Sequence, residues 1–373
     1  MSGETLAFWA SAFLTAGLVW MLRPLASRHG LVDRPSGRKN HASPTPIIGG
    51  LAIALAVIMS LFLVEESTKS IVAYAMATVL LMTVGFLDEA YDLRWYWRMP
   101  AHVVAGLIMI YWGGVQVESI GLLFTSTPII LGAWSVPFTL LAIVGLINAI
   151  NMTDGADGVA GSLCLSALLM FGAAALYTGN EPLFSWVTPL VSAIIVFLFF
   201  NMRFPWQRSA RIFLGNAGSA FLGFTMGWIV FRVTQDVGHP VPPVLAPWFL
   251  AVPLVDCLVL IARRVRMGRS PFHADRGHIH HLMLDAGFSP NQVALTLSIF
   301  SIGLGVGAAL LLRSGWASEG QLVLAFVVVA MVHYWLTARR SRALSYLGNL
   351  HGLLSMGRQS AGAASVALKG RAG

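Results

Sequence analysis

Charge is scarce in this sequence. Only 11% of its 373 residues are Asp, Glu, Lys or Arg, and just 16 of them are acidic. Soluble domains carry nearer a quarter of their residues charged. A 57% hydrophobic chain with a mean hydropathy of +0.74 therefore has too little polar surface to stay in water. Cysteine is scarcer still: the two present, Cys164 and Cys257, sit inside apolar runs, which excludes a disulfide-stapled secreted scaffold. The formal charge of +8 does not make a nucleic-acid binder, because its cations are scattered through loops between apolar stretches. What remains is an all-α polytopic membrane protein.

A membrane helix needs about 20 apolar residues. Eleven stretches qualify, roughly 6–22, 47–64, 71–87, 101–117, 128–150, 158–178, 184–200, 212–231, 244–262, 292–312 and 320–337. With alternating loops, every one of the 24 basic residues except Lys69, Arg232 and Arg313 falls on one side. By the positive-inside rule that side is cytoplasmic, so the N-terminus is expected outside and the C-terminus inside. The first stretch has no cation before it and Arg23 after it, which reads as a retained anchor. Residues 1–337 then form one transmembrane domain, with cytoplasmic loops at 23–46, 88–100, 151–157, 201–211 and 263–291. The basic, then Gly/Ala/Ser-rich tail 338–373 is expected to be disordered.

The cytoplasmic side also holds Asp33, Asp88, Glu89, Asp92, Asp154, Asp157, Asp256, Asp275 and Asp285, several directly at helix ends. A carboxylate there is costly unless paired or metal-bound. Four loops carry the polar chemistry. In the first, Arg34, Arg38, Lys39 and His41 precede Gly49 and Gly50, a setting for an anionic headgroup that is also an ordinary positive-inside cluster. In the second, Asp88, Glu89 and Asp92 would share a helix face if the helix runs on. They could ligate Mg²⁺, supply a base, or form a solvated end offset by Arg94 and Arg98. The third, Asn148 to Gly158, packs Asn148, Asn151, Asp154 and Asp157 into a glycine-rich turn, hard oxygen donors suited to Mg²⁺ and a nucleotide diphosphate. The fourth holds Arg269, Arg276, His278, His280 and His281. Such a cluster could ligate a transition metal, donate to phosphate oxygens, or stay an exposed polar loop. A Gly/Asn/Ser turn, Gly215 to Ser219, opens the eighth stretch and is weak evidence alone.

In this order the four loops, across about residues 30–290, resemble the polyprenyl-phosphate N-acetylhexosamine-1-phosphate transferases. The resemblance implies attack of undecaprenyl phosphate on a UDP-N-acetylhexosamine, with UMP released and Mg²⁺ or Mn²⁺ as cofactor, at a bacterial inner membrane. It implies catalytic roles for Asp88, Glu89 and Asp92, and metal ligation by Asp154 and Asn216. It implies substrate binding by Lys39, His41, Asn148, Asn151, Asp157, Arg269, Arg276, His278, His280 and His281. The His-x-His-His pattern matches the branch using UDP-N-acetylglucosamine, although another sugar, such as a 6-deoxy-hexosamine, stays open.

Two positions depart from the family: Glu89 stands where an Asp is usual, and Asn216 replaces an Asp regarded as a metal ligand. An amide oxygen brings no charge, so weaker cation binding is expected. A cation-coupled transporter would instead place ionisable residues near the middle of its spans, whereas 47–64, 158–178 and 184–200 have none. The partners expected are nucleotide sugar, prenyl phosphate and membrane lipid, with no nucleic acid. No residue reports the oligomeric state, and a homodimer is left open.

Overall fold

The computed structural model describes residues 2–33, 44–63, 68–271 and 276–353. Thirteen named α-helices dominate them: α1 (Gly3–His29), α2 (Gly49–Leu61), α3 (Thr68–Tyr91), α4 (Trp95–Leu107), α5 (Ser135–Thr153), α6 (Val159–Thr178), α7 (Glu181–Asn201), α8 (Gly215–Gln235), α9 (Leu245–Phe249), α10 (Ala251–Arg266), α11 (Ile279–Asp285), α12 (Pro290–Arg313) and α13 (Glu319–Thr337). Two short strands, β1 (Val32–Asp33) and β2 (Thr45–Pro46), pair antiparallel. Among the described residues, eight helices are long and apolar enough to cross a membrane.

Each of the eleven apolar stretches contains helix, but four are shorter or interrupted; in 128–150 α-helix begins only at Ser135. α2 has 13 residues. α4 passes into a π-helical turn, Ile108–Trp112, that stops at Gly113. The stretch 244–262 is split at Leu250 between α9 and α10. Long helices instead end at local signals. Gly30 and Gly179 take left-handed C-cap positions with φ of 74° and 72°. Ser289 with Gln292, and Ser318 with Gln321, form capping boxes. The tail departs from expectation, because residues 340–353 are helical. Its sequence, Arg340 to Leu353, still mixes apolar and basic residues at helical spacing; the Gly/Ala/Ser-rich part lies outside the described residues.

α8 is the hub. In its most apolar stretch 94% of residues are buried, against 17% for α13 at the periphery. Glycine makes this possible. A Cβ on Gly50 would land on the Gly218 backbone, one on Gly85 on Ala217, and one on Gly223 on the Ile147 backbone. α2, α3 and α5 thus each meet α8 at a small residue, the usual way membrane helices gain close packing where lipid supplies no hydrophobic drive. Deeper in, Tyr74 Oη and Thr225 Oγ1 share a buried 2.7 Å hydrogen bond, and Trp186 stacks on Trp228 at 5.9 Å. Outward-facing Phe13, Trp20 and Leu141 remain exposed, as lipid-facing residues should.

Candidate active site

The α3–α8 crossing carries the acidic motif to the glycine turn. Asp88, buried in the last turn of α3, accepts from Arg98 Nη1 of α4 at 2.9 Å and from Asn216 Nδ2 at 2.8 Å, both on Oδ2. Its neighbour Glu89 reaches the N-terminus of α8, where Oε1 accepts the Ala217 N–H at 3.3 Å. A Cβ on Gly215, which holds φ +80°, would strike that carboxylate. Hence a side chain one methylene longer than Asp is accommodated here: it caps a helix whose residue Leu214 offers no side-chain cap. Glu89 Oε2 is buried with no hydrogen-bond partner among the described residues.

Asp92 does not join them as expected. α3 ends at Tyr91, and Asp92 lies beyond it at φ +50°, exposed, with its N–H closing the helix onto Asp88 O at 2.9 Å. The shared-face argument needed one more helical residue.

Asp88, Arg98, His102, Asn148, Asn151 and Asn216 all line one cavity of ≈ 20 Å³. That holds about one water or a bare cation, and no sugar. Asn151 Nδ2 donates to Ser219 Oγ at 2.7 Å, fastening the end of α5 to α8. Asn148 instead donates to Val144 O of its own helix at 2.7 Å.

Asp154 sits at the C-cap of α5 and is not among those lining residues. Its carboxyl is pushed up to about 7, first by burial, then by the charges of Glu89 and Asp157. Asp157 pairs with Arg203 Nε at 2.8 Å. Next to it, the Gly158 N–H donates to Asn201 Oδ1 at 2.7 Å, and Asn201 Nδ2 donates to Ile212 O at 2.8 Å. That buried amide ties the α5–α6 turn to the segment leading into α8.

The histidine segment closes over this turn. A Cβ on Gly155 would fall on His280 Nε2, so the glycine there permits contact. His278 Nδ1 lies 2.8 Å from Asp256 Oδ2, and His333 Nε2 of α13 lies 3.1 Å from Asp256 Oδ1. His278 and His280 are buried, His281 half-buried, and Arg269 and Arg276 exposed. The pKa of His280 is held down to about 3 by burial and then by the neighbouring His281 and His278. That of His281 is held down to about 4 by burial, then by Arg276 and His278. Both rings are neutral at physiological pH, so positive charge comes from the arginines. Arg276 donates to Asp285 Oδ1 at 3.2 Å, and Arg340 from the C-terminal helix donates to Oδ2 of the same carboxylate. Lys39 and His41 lie outside the described residues.

Arg98, Arg203, Asp256 and His333 were missed as site residues. Asp256 left a signal, a single carboxylate in an apolar run, and Arg98 left one as a cation beside the acidic cluster.

Oxygen donors from α3, α5 and α8, with cations beside them, gather at the ends of apolar helices, an arrangement that suits a phosphate group. A family model described as glycosyl transferase family 4 matches residues 71–234, from α3 through nearly all of α8. Undecaprenyl-phosphate alpha-N-acetylglucosaminyl 1-phosphate transferases are similar over most of their length. That of Escherichia coli (strain K12) is 30% identical over 338 residues, 90% of this chain and 92% of the relative. That of Yersinia pestis is 33% identical over 315 residues, covering 83% and 86%. That of Haemophilus influenzae is 32% identical over 338 residues, covering 89% and 94%. The chain belongs to glycosyl transferase family 4, among the polyprenyl-phosphate sugar-phosphate transferases.

Proposed function

We propose that this chain transfers N-acetylglucosamine-1-phosphate from UDP-N-acetylglucosamine to undecaprenyl phosphate, releasing UMP at the cytoplasmic face of a bacterial inner membrane. One observation carries the reading: the acidic motif and the glycine turn, 128 residues apart, meet through Asp88 and Asn216, in a chain matched along nine-tenths of its length by such transferases.

The acceptor is a phosphate monoester already largely ionised near neutral pH. Asp88, held by Arg98 and Asn216, takes its remaining proton and aligns the attacking oxygen. That oxygen attacks the β-phosphorus of the nucleotide sugar in line, and the bond to the UMP oxygen breaks. Arg269 and Arg276, exposed on the histidine segment, neutralise the donor's phosphates as His281 donates a neutral N–H. Lys39 and His41 meet the lipid phosphate. Asp157, fixed by Arg203, and Asn151, fixed by Ser219, hold the turn on which the nucleotide rests.

Glu89 Oε2, without a partner among the described residues, the carboxyl of Asp154 and the Asn216 amide oxygen, whose NH₂ is committed to Asp88, are hard oxygen donors that fit Mg²⁺ or Mn²⁺. When bound, such an ion supplies positive charge against that building on the departing UMP. In the same proposal α2, α4 with its π turn, and the α9–α10 pair complete eleven crossings, with the N-terminus outside. A homodimer has no support here and forms no part of it.

The test is UMP release by the purified chain in detergent with UDP-N-acetylglucosamine and undecaprenyl phosphate, with Mg²⁺ or with EDTA. Release that requires both lipid and metal is expected. Release only with another UDP-N-acetyl sugar would correct the donor, and failure across a sugar panel would overturn the transferase.

A further inference from the structure

The histidine segment is not simply an open phosphate-binding loop. Its first two imidazoles are enclosed beside a buried carboxylate from another helix. Asp256 of α10 is 4% exposed, His278 at the start of α11 is 6%, and His280 within α11 is 1%. One ligand atom from each lies within 4.8 Å of the others. The carboxylate comes from outside the segment, 22 residues upstream on α10.

Two of the three residues have hydrogen-bond work. Asp256 receives the Ile279 N–H at 3.0 Å, besides its contacts with His278 and His333. His280 has none: both its ring nitrogens are buried without a partner among the described residues. A neutral imidazole must have one N–H and one lone pair, and enclosing both unpaired is costly. An ion is among the standard explanations for such an orphan.

We propose that Asp256, His278 and His280 bind a transition-metal cation of the Zn²⁺ type, at a site distinct from the oxygen donors of Asp154 and Glu89. Two nitrogens and one carboxylate oxygen suit Zn²⁺ rather than Mg²⁺, which prefers oxygen alone. The cation takes the place of the proton shared by Asp256 and His278, and His333 then serves to orient the carboxylate from α13. His281 is the neighbour for a fourth position: its ring lies 4.2 Å from that of His280, and its Nδ1 is likewise without a partner among the described residues. Arg276 is the cation that opposes this site, and its guanidinium is drawn to Asp285. The site joins α10 to α11, and its contact with Gly155 sets it against the α5–α6 turn. Its role is to lock the histidine segment on that turn.

The inference stands apart from the transferase reading because its readout is metal content. The full chain, free of any histidine tag, is stripped with chelator in detergent, given Zn²⁺ with an excess of Mg²⁺, and freed of unbound metal. About one retained Zn²⁺ per chain is expected, as for a site with three protein ligands. His280→Gln and, separately, Asp256→Asn should weaken retention by on the order of tenfold or more. Co²⁺ in the unmodified chain should give the visible absorption of four-coordinate Co²⁺, a readout that needs no variant to fold. No retained Zn²⁺ together with no Co²⁺ band, or equal retention in a folded His280→Gln chain, would overturn the site. Asp256 would then be only the carboxylate that orients His278.

Discussion

The side-chain amide of Asn216 donates to Asp88 Oδ2 at 2.8 Å, on the same oxygen that receives Arg98 Nη1. An aspartate at 216 would set a second carboxylate against Asp88, an arrangement that only a cation or a shared proton relieves. Asn216 therefore satisfies Asp88 with no cation between the two residues.

Asn216→Asp should make the site depend on metal for stability as well as for turnover. In EDTA its Tm should lie below that of the unmodified chain, and Mg²⁺ should raise it more. The Mg²⁺ concentration for half-maximal UMP release should fall by on the order of tenfold, equivalent to about 1.4 kcal/mol. An unchanged Mg²⁺ requirement would show that residue 216 does not contact the cation.

Asp88→Asn removes the negative charge from both contacts, leaves one acceptor oxygen instead of two, and deprives the Arg98 guanidinium of its carboxylate. Turnover should fall about 10²–10⁴-fold, the range for losing a positioned proton acceptor. Asp92→Asn, at an exposed position past the end of α3, should cost far less. UMP release measured on both variants decides the ranking.

Asp154 gives a pH dependence with a definite sign. Its native pKa of about 7 lies above the ordinary 3.8 of an aspartate because burial, and then two neighbouring carboxylates, disfavour the charge. Between those values the native chain binds the proton that the unfolded chain has lost, so this residue's contribution to stability falls as pH rises towards 7. A cation competes with that proton. The Mg²⁺ concentration for half-maximal turnover should therefore rise as pH drops below 7, and Asp154→Asn should flatten the trend.

Gly50→Ala tests the packing that places the site. Its Cβ would meet the Gly218 backbone, which cannot move as a flexible side chain would. A loss of about 1–3 kcal/mol is expected, read as a lower Tm in detergent. Gly145→Ala, in α5 with nothing within 4 Å of the added atom, serves as the comparison and should be neutral or slightly stabilising.

Much of this was legible in one dimension. Hydropathy located the eight helices that are long and apolar enough to cross a membrane among the described residues, because a backbone in lipid must satisfy its own hydrogen bonds within one apolar segment. It overstated the lengths of others, since apolar runs such as 244–262 do not reveal where a helix breaks. Asp88, Glu89, Asn151, Asp154 and Asp157 stood out because polar groups at helix ends are expensive without a task. Arg203 did not, for nothing local separates it from any other cytoplasmic arginine.

The solvent, the helices and the stretches holding polar chemistry follow from the order of residues alone, since composition and spacing act locally. Which stretches meet is a matter of packing in three dimensions. Asn216 finds Asp88 because glycine lets α8 approach α2 and α3 closely. Gly155 admits His280 for the same steric reason. His278 and His333 find Asp256 because α10, α11 and α13 pack together. Those pairings are settled by the shape of packed helices, and no property of a single segment encodes them.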